Sequence, residues 1–134
     1  MKRVLCIPLF AAFCAAALFA ADRIYCKWCG SPNFANVRQM TASPCAKSPS
    51  GRHELYGGAP RQFYVCIYCG FESASFEQLV TSPCSRSPRR CHDAYEGTVK
   101  ASYACKNCGF ESRSFRQLVL SPCRASPRGC HEVR

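Results

Sequence analysis

Three sets of four residues, recurring in register, restrict the fold of this chain more than any other feature. CxxC followed by Cys and then His occurs as Cys26, Cys29, Cys45 and His53, again as Cys66, Cys69, Cys84 and His92, and again as Cys105, Cys108, Cys123 and His131. The third cysteine and the histidine recur at steps of 39 residues, while the first CxxC precedes the second by 40, because copy one carries an extra residue between Cys29 and Cys45. Copies two and three agree at 19 of the 27 positions from the first Cys to the His, which marks a duplication. A module this short has three or four large apolar side chains, too few to offset a backbone entropy of roughly 1–2 kcal/mol per residue. A covalent or coordinate bond has to close each one.

Each copy also encodes the same local structure. Asn36, Ser75 and Ser114 are followed three residues later by Gln39, Gln78 and Gln117. This is a capping box, in which the short side chain accepts a free helix N–H and the glutamine reaches back. Phe76, Leu79 and Val80, and likewise Phe115, Leu118 and Val119, fall at i, i+3 and i+4 on one helical face, and copy one offers Val37 and Met40. The pairs Ser43-Pro44, Ser82-Pro83 and Ser121-Pro122 stop the helix, since proline lacks an N–H and disfavours helix in the residue before it. On the opposite wall, an aromatic residue or Ile two positions ahead of each CxxC predicts a strand entering a tight knuckle, with Gly30, Gly70 and Gly109 supplying positive φ.

Structural zinc answers the closure problem, because it takes four tetrahedral N or S ligands and contributes about 10–16 kcal/mol of apparent binding energy in such peptides. The twelve residues supply three such sets, hence three zinc ions per chain. Cys91 and Cys130 directly precede His92 and His131 and are the alternative metal ligands or disulfide partners. Copy one has Arg52 at that place and keeps His53, which favours His. The competing closure is a disulfide framework, usual for cysteine-dense exported modules. Leaving out Cys6 and Cys14, however, the repeats hold an odd number of the 13 cysteines, so full pairing within one chain fails and the repeated His goes unexplained. A hybrid joins Cys91 to Cys130 beside three zinc sites. Redox chemistry at CxxC lacks the βαβ setting that it needs.

The arrangement resembles zinc-finger proteins of the CxxC…C…H kind and, in part, the two-Cys two-His finger. The Tyr-x-CxxC opening of copies two and three matches that finger, and Leu79 and Leu118 fall where it has its helix leucine. It departs in having Cys84 or Cys123 as third ligand, and in reaching the last ligand across a proline loop. Over residues 24–134 it also resembles uncharacterised small bacterial secreted proteins with tandem CxxCG…C…H repeats, which implies a metal-bound fold with no assigned activity. The expected fold class is therefore small α+β, metal-stabilised: three tandem zinc-finger-like repeats, each a knuckle or hairpin plus a short helix, after an N-terminal signal helix. The expected divisions are a signal peptide at 1–21, repeats at 24–53, 64–92 and 103–131, and linkers at 54–63 and 93–102.

Lys2 and Arg3 precede an uncharged, alanine-rich apolar run from Val4 to Ala21, the order of a secretory signal. The chain is thus expected to be exported to the periplasm, cell envelope or extracellular space; an uncleaved, membrane-anchored form is the alternative, the run being about as long as a minimal span. Lys plus Arg number 18 against 8 Asp plus Glu, a formal charge of +10. Part of that excess offsets the net negative charge of zinc bound by three thiolates and a neutral His. Arg86, Arg89, Arg90, Arg124 and Arg128, in the Ser-Pro loops, would present a basic face to an unknown protein or polyanionic partner. Nucleic acid is disfavoured by the export signal, and membrane contact is expected only through an uncleaved N-terminus. No catalytic set is evident, and a zinc with four protein ligands keeps no open position, so the chain is expected not to be an enzyme. The functional expectation is an exported tandem zinc-finger protein binding three structural zinc ions. The alternatives are a disulfide-stapled secreted structural protein, or a nucleic-acid-binding finger array if the N-terminus is not an export signal.

Overall fold

The computed structural model describes residues 23–134, and the signal peptide expected at 1–21 lies outside them. The elements run α1 (Val37–Ala42), β1 (Tyr64–Val65), β2 (Glu72–Ser73), α2 (Phe76–Thr81), β3 (Tyr103–Ala104), β4 (Glu111–Ser112) and α3 (Phe115–Leu120). This is a small α+β fold. Copies two and three each join an antiparallel hairpin to a helix, with Tyr64 opposite Ser73 and Tyr103 opposite Ser112. The CxxC knuckle is the hairpin's turn. Cys66 N–H donates to Phe71 O at 2.8 Å, Gly70 N–H donates to Cys66 O at 2.9 Å, and Gly70 turns the chain at a φ of 66°. The residues just after each His return to the knuckle's other side, where Leu55, Ala94 and Val133 bridge Cys26, Cys66 and Cys105.

Copy one keeps the knuckle and helix but forms no hairpin strands. Pro32 stands two residues after Gly30, the place where Glu72 follows Gly70 and pairs with Val65. A proline, its φ fixed at about −65°, is disfavoured within a strand.

Six-residue helices fall well short of the about 12–15 residues that water supports alone, so caps and packing hold them. The side chains of Asn36, Ser75 and Ser114 accept from the amides of Gln39, Gln78 and Gln117 at 2.8, 3.2 and 3.2 Å. The return half of the expected box takes a different route. Gln78 and Gln117 accept from the hydroxyls of Ser73 and Ser112, and those oxygens in turn accept the N–H of Ser75 and Ser114, both at 3.1 Å. In copy one, Gln39 accepts from Ala35 N–H at 2.9 Å. Phe76, Leu79 and Val80 are buried, as are Phe115, Leu118 and Val119. Met40 is buried in copy one, but Val37, expected on the same face, is 41% exposed. The rings that cover Phe76 and Phe115 include tyrosines from upstream of each repeat, and none of the described residues before copy one supplies an equivalent.

Successive copies share their cores. Tyr56 and Tyr95 come from the stretches expected to be linkers. Tyr56 packs on Phe76 with ring centroids 4.4 Å apart, and Tyr95 packs on Phe115 at 4.9 Å. Tyr25, one residue before Cys26, also reaches Phe76, at 5.1 Å. Tyr56 Oη donates to Tyr95 O at 3.0 Å, and Arg61 Nη2 donates to Gly97 O at 2.8 Å. Gly30 lies directly against the backbone of Glu77 in α2, and a Cβ on Gly70 would fall 2.6 Å from Arg116 Cα in α3. Gly109 has the same backbone conformation and open space around it.

Candidate metal centres

The structure brings the twelve residues of the sequence pattern into three clusters. Cys26, Cys29, Cys45 and His53 form one, Cys66, Cys69, Cys84 and His92 the second, and Cys105, Cys108, Cys123 and His131 the third, with all ligand atoms of each set within 4.8 Å of one another. The His Nδ1 atom faces sulfur in each: 3.5 Å from Cys29 Sγ, 3.4 Å from Cys69 Sγ and 3.4 Å from Cys108 Sγ. A tetrahedral ion with Zn–S near 2.3 Å and Zn–N near 2.05 Å sets S···N edges of about 3.6 Å and S···S edges of about 3.8 Å. The Cys105 and Cys123 sulfurs stand 4.0 Å apart, close to such an edge and about twice the length of a disulfide bond. Among the described residues all eleven cysteines are free thiols.

Local structure places each ligand. The first two sit on the knuckle, where the amides of Tyr68 and Asn107 point at the sulfurs of Cys66 and Cys105 from 3.4 Å. The third follows the helix-stopping Ser-Pro, and a compact turn carries the chain on to the histidine. In copy two Ser87 N–H donates to Cys84 O at 3.3 Å, Arg90 N–H to Ser87 O at 3.0 Å, and Cys84 N–H to Arg90 O at 2.8 Å. Copies one and three repeat these bonds through Gly51 and Gly129. Each His N–H then donates, at 3.2 Å, to the carbonyl of the serine that stops its own helix (Ser43, Ser82 or Ser121).

The electrostatics ask for a cation. Burial, and behind it the neighbouring sulfurs of Cys26 and Cys66, push the thiols of Cys29 and Cys69 up to about 12. Burial also raises Cys26 and Cys105, but donors outweigh it. The N–H groups of Cys29 and Trp28 with the His53 ring bring Cys26 down to about 7, and the His131 ring with the N–H of Asn107 brings Cys105 to about 6. A lowered thiol thus stands beside a raised one in copy one (Cys26 with Cys29) and in copy three (Cys105 with Cys123), while in copy two burial and sulfur–sulfur repulsion raise both Cys66 and Cys69. A divalent ion that replaces the protons removes that repulsion. Burial lowers the His92 pKa, favouring the neutral ring that a metal binds. The donor set, its spacing and its protonation all fit a tetrahedral Cys3His ion.

Cys91 and Cys130 stand outside the clusters. They bridge Pro83 and Pro122 in extended backbone, where neighbouring side chains point to opposite sides, so His92 and His131 face inward and the preceding cysteines do not. Arg86 Nη1 donates to Cys130 Sγ at 3.7 Å.

Two further elements of each site were not singled out from sequence. Buried Ser48, Ser87 and Ser126, three residues after the third ligand, hydrogen-bond the acid that follows each His: Glu54 at 3.2 Å, Asp93 at 3.4 Å and Glu132 at 2.7 Å. Lys27 and Lys106 pair with Glu54 and Glu132 across the knuckle. In copy two Ile67 takes the lysine's place and Arg89 pairs with Asp93 instead. A phenylalanine also lies against each imidazole: Phe34 on His53 at 4.8 Å, Phe71 on His92 and Phe110 on His131, both at 4.9 Å. The signal was present in the repeat, since Ser-Pro and the acid after His occur in all three copies, but such residues ordinarily read as loop.

Comparison with protein-family models, with curated proteins and with solved structures finds no match to this chain.

Proposed function

We propose that this chain is an exported, non-enzymatic array of three zinc-finger-like repeats, binding three structural zinc ions and offering a basic surface to a partner. The observation that carries the zinc reading is the convergence of three Cys3His sets, each with its four donor atoms within 4.8 Å. Zinc is favoured by the ligand chemistry: thiolate with imidazole in a four-coordinate set is a structural zinc combination. All four positions of such an ion are filled by protein, which leaves no place for a reacting water and supports a non-catalytic role. Export rests on the charge and apolar order of residues 1–21.

The basic surface is best supported along the loops 44–52, 83–91 and 122–130, which contain seven Lys or Arg and no carboxylate. Four of the seven are engaged within the molecule: Arg89 lies over Trp28 and Arg128 over Tyr68, each 4.2 Å from the ring centroid, while Arg52 donates to Ala42 O at 3.2 Å and Arg86 to Cys130 Sγ at 3.7 Å. Lys47, Arg90 and Arg124 remain exposed, one on each loop.

Native and denaturing mass spectrometry of the chain recovered from its own compartment tests the zinc reading. Three zinc ions in the native spectrum, with no mass deficit for disulfides after denaturation, is the expected result. Cys91→Ser should still carry three. Metal-free protein short of two hydrogens per cysteine pair would replace this reading with a disulfide scaffold.

A further inference from the structure

We propose that the three metal sites load as one coupled unit, transmitted through contacts repeated at each junction between copies; this inference rests on the zinc reading above. Trp28 lies between the ligands Cys26 and Cys29, and the guanidinium on its ring belongs to Arg89, in the loop whose ends are the ligands Cys84 and His92. The second junction repeats the device, with Tyr68 between Cys66 and Cys69 and Arg128 between Cys123 and His131. The loop that one ion closes thus rests on the knuckle that the preceding ion closes.

Two other contacts run in parallel. The knuckle glycines Gly30 and Gly70 fit against the helices of the following copies at Glu77 and Arg116. Tyr56, three residues after the ligand His53, is buried in the core that positions Cys66 and Cys84.

The bridging residues are replaced on the outward sides of copies one and three. In copy three, Asn107 stands in place of Trp28 and Tyr68, and Ala104 in place of Tyr25 and Val65, which both reach the next core. In copy one, Ser50 stands in place of Arg89 and Arg128. The side chains that bridge copies are present at both junctions and absent from the outer ends. This distribution ties them to coupling between sites and not to closure of any single one.

An ion in copy two orders Arg89 against the first knuckle and the second knuckle under Arg128, so both neighbours bind into surroundings already arranged. Binding that does part of its neighbour's ordering is positively cooperative, and couplings of this kind typically change affinity about 5- to 150-fold.

The test is a titration of the full chain with Zn²⁺ alone, followed by native mass spectrometry at one and two equivalents. Coupled loading gives spectra dominated by chains with no ion and with three. Cys84→Ser, which removes one ligand of the central site, should weaken the two outer sites by about 5- to 150-fold in competition with a chelator. Gly70→Ala and Gly109→Ala put the same strain into equivalent knuckles, but only the first meets a neighbouring copy. Gly70→Ala should populate partly loaded chains, and Gly109→Ala should not. Arg128→Ala, which leaves every ligand in place, should move the distribution in the same direction as Gly70→Ala by a smaller amount. A statistical spread of loading in the wild type, or outer-site affinities indifferent to Cys84→Ser, would overturn the coupling while leaving zinc binding intact. A chain that takes up no zinc would overturn the zinc reading itself, a separate and recognisable result.

Discussion

Arg90 turns the loop of copy two at a φ of 61°, where copies one and three use Gly51 at 71° and Gly129 at 73°. The left-handed region costs a residue with a Cβ about 1–2 kcal/mol, and glycine almost nothing. Copy two therefore holds strain that its siblings lack, two residues before its own histidine ligand. Arg90→Gly is expected to stabilise that loop by about 1 kcal/mol after allowing for the freer unfolded chain, raising the denaturant midpoint of the metal-loaded protein. An unchanged or lower midpoint would mean that the Arg90 side chain offsets the strain. At this scale the ligand set was legible, because few residue types bind zinc and copy one separated His53 from the neighbouring position with Arg52. Ser48, Ser87 and Ser126 were not legible as partners of the following acids, since a hydrogen bond across six residues has no periodicity to announce it.

The helices show how much a six-residue element depends on its ends. The first half of each cap was legible from the spacing of Asn36, Ser75 and Ser114 ahead of their glutamines, and the stops from Ser-Pro. The detour through Ser73 and Ser112 was not, because it is set by the hairpin that brings β2 and β4 beside the helix start. Ser75→Ala is expected to destabilise copy two by about 1 kcal/mol, the usual cost of losing a cap hydroxyl. Ser73→Ala should cost at least as much, because Ser73 Oγ meets Ser75 N–H, Ser75 O and the Gln78 side chain together. Paired melts of the two variants check the order; a smaller loss for Ser73→Ala would place the cap's strength in Ser75 alone. The missing strands and exposed Val37 of copy one have local causes: Pro32 is a poor strand residue where copy two has Glu72, and no tyrosine among the described residues upstream covers the helix.

Across the whole molecule, the repeat was legible within each copy and hidden between copies. Trp28 and Arg89 are far apart in the chain and satisfy no local pattern, although the register of copies shows their counterparts Tyr68 and Arg128 at once when the contact is known. Residues 54–63 and 93–102 look polar and irregular in sequence, yet they carry Tyr56 and Tyr95 into the neighbouring cores. Because Asn107 and Ala104 close one end and Ser50 the other, the array has a first unit and a last unit that are not interchangeable with the middle one. Its length is consequently editable only from within. A duplicate of residues 64–102 inserted after position 102 finds an aromatic knuckle before it and an arginine-bearing loop after it, and should give a soluble chain binding a fourth ion. The same segment attached beyond Arg134 meets Asn107, Ala104 and an uncovered Gly109, and should hang as a loosely joined extra, with faster proteolysis at the new seam. Tandem duplication in nature would face the same asymmetry, so longer versions of this array should be read as middles multiplied between two fixed ends.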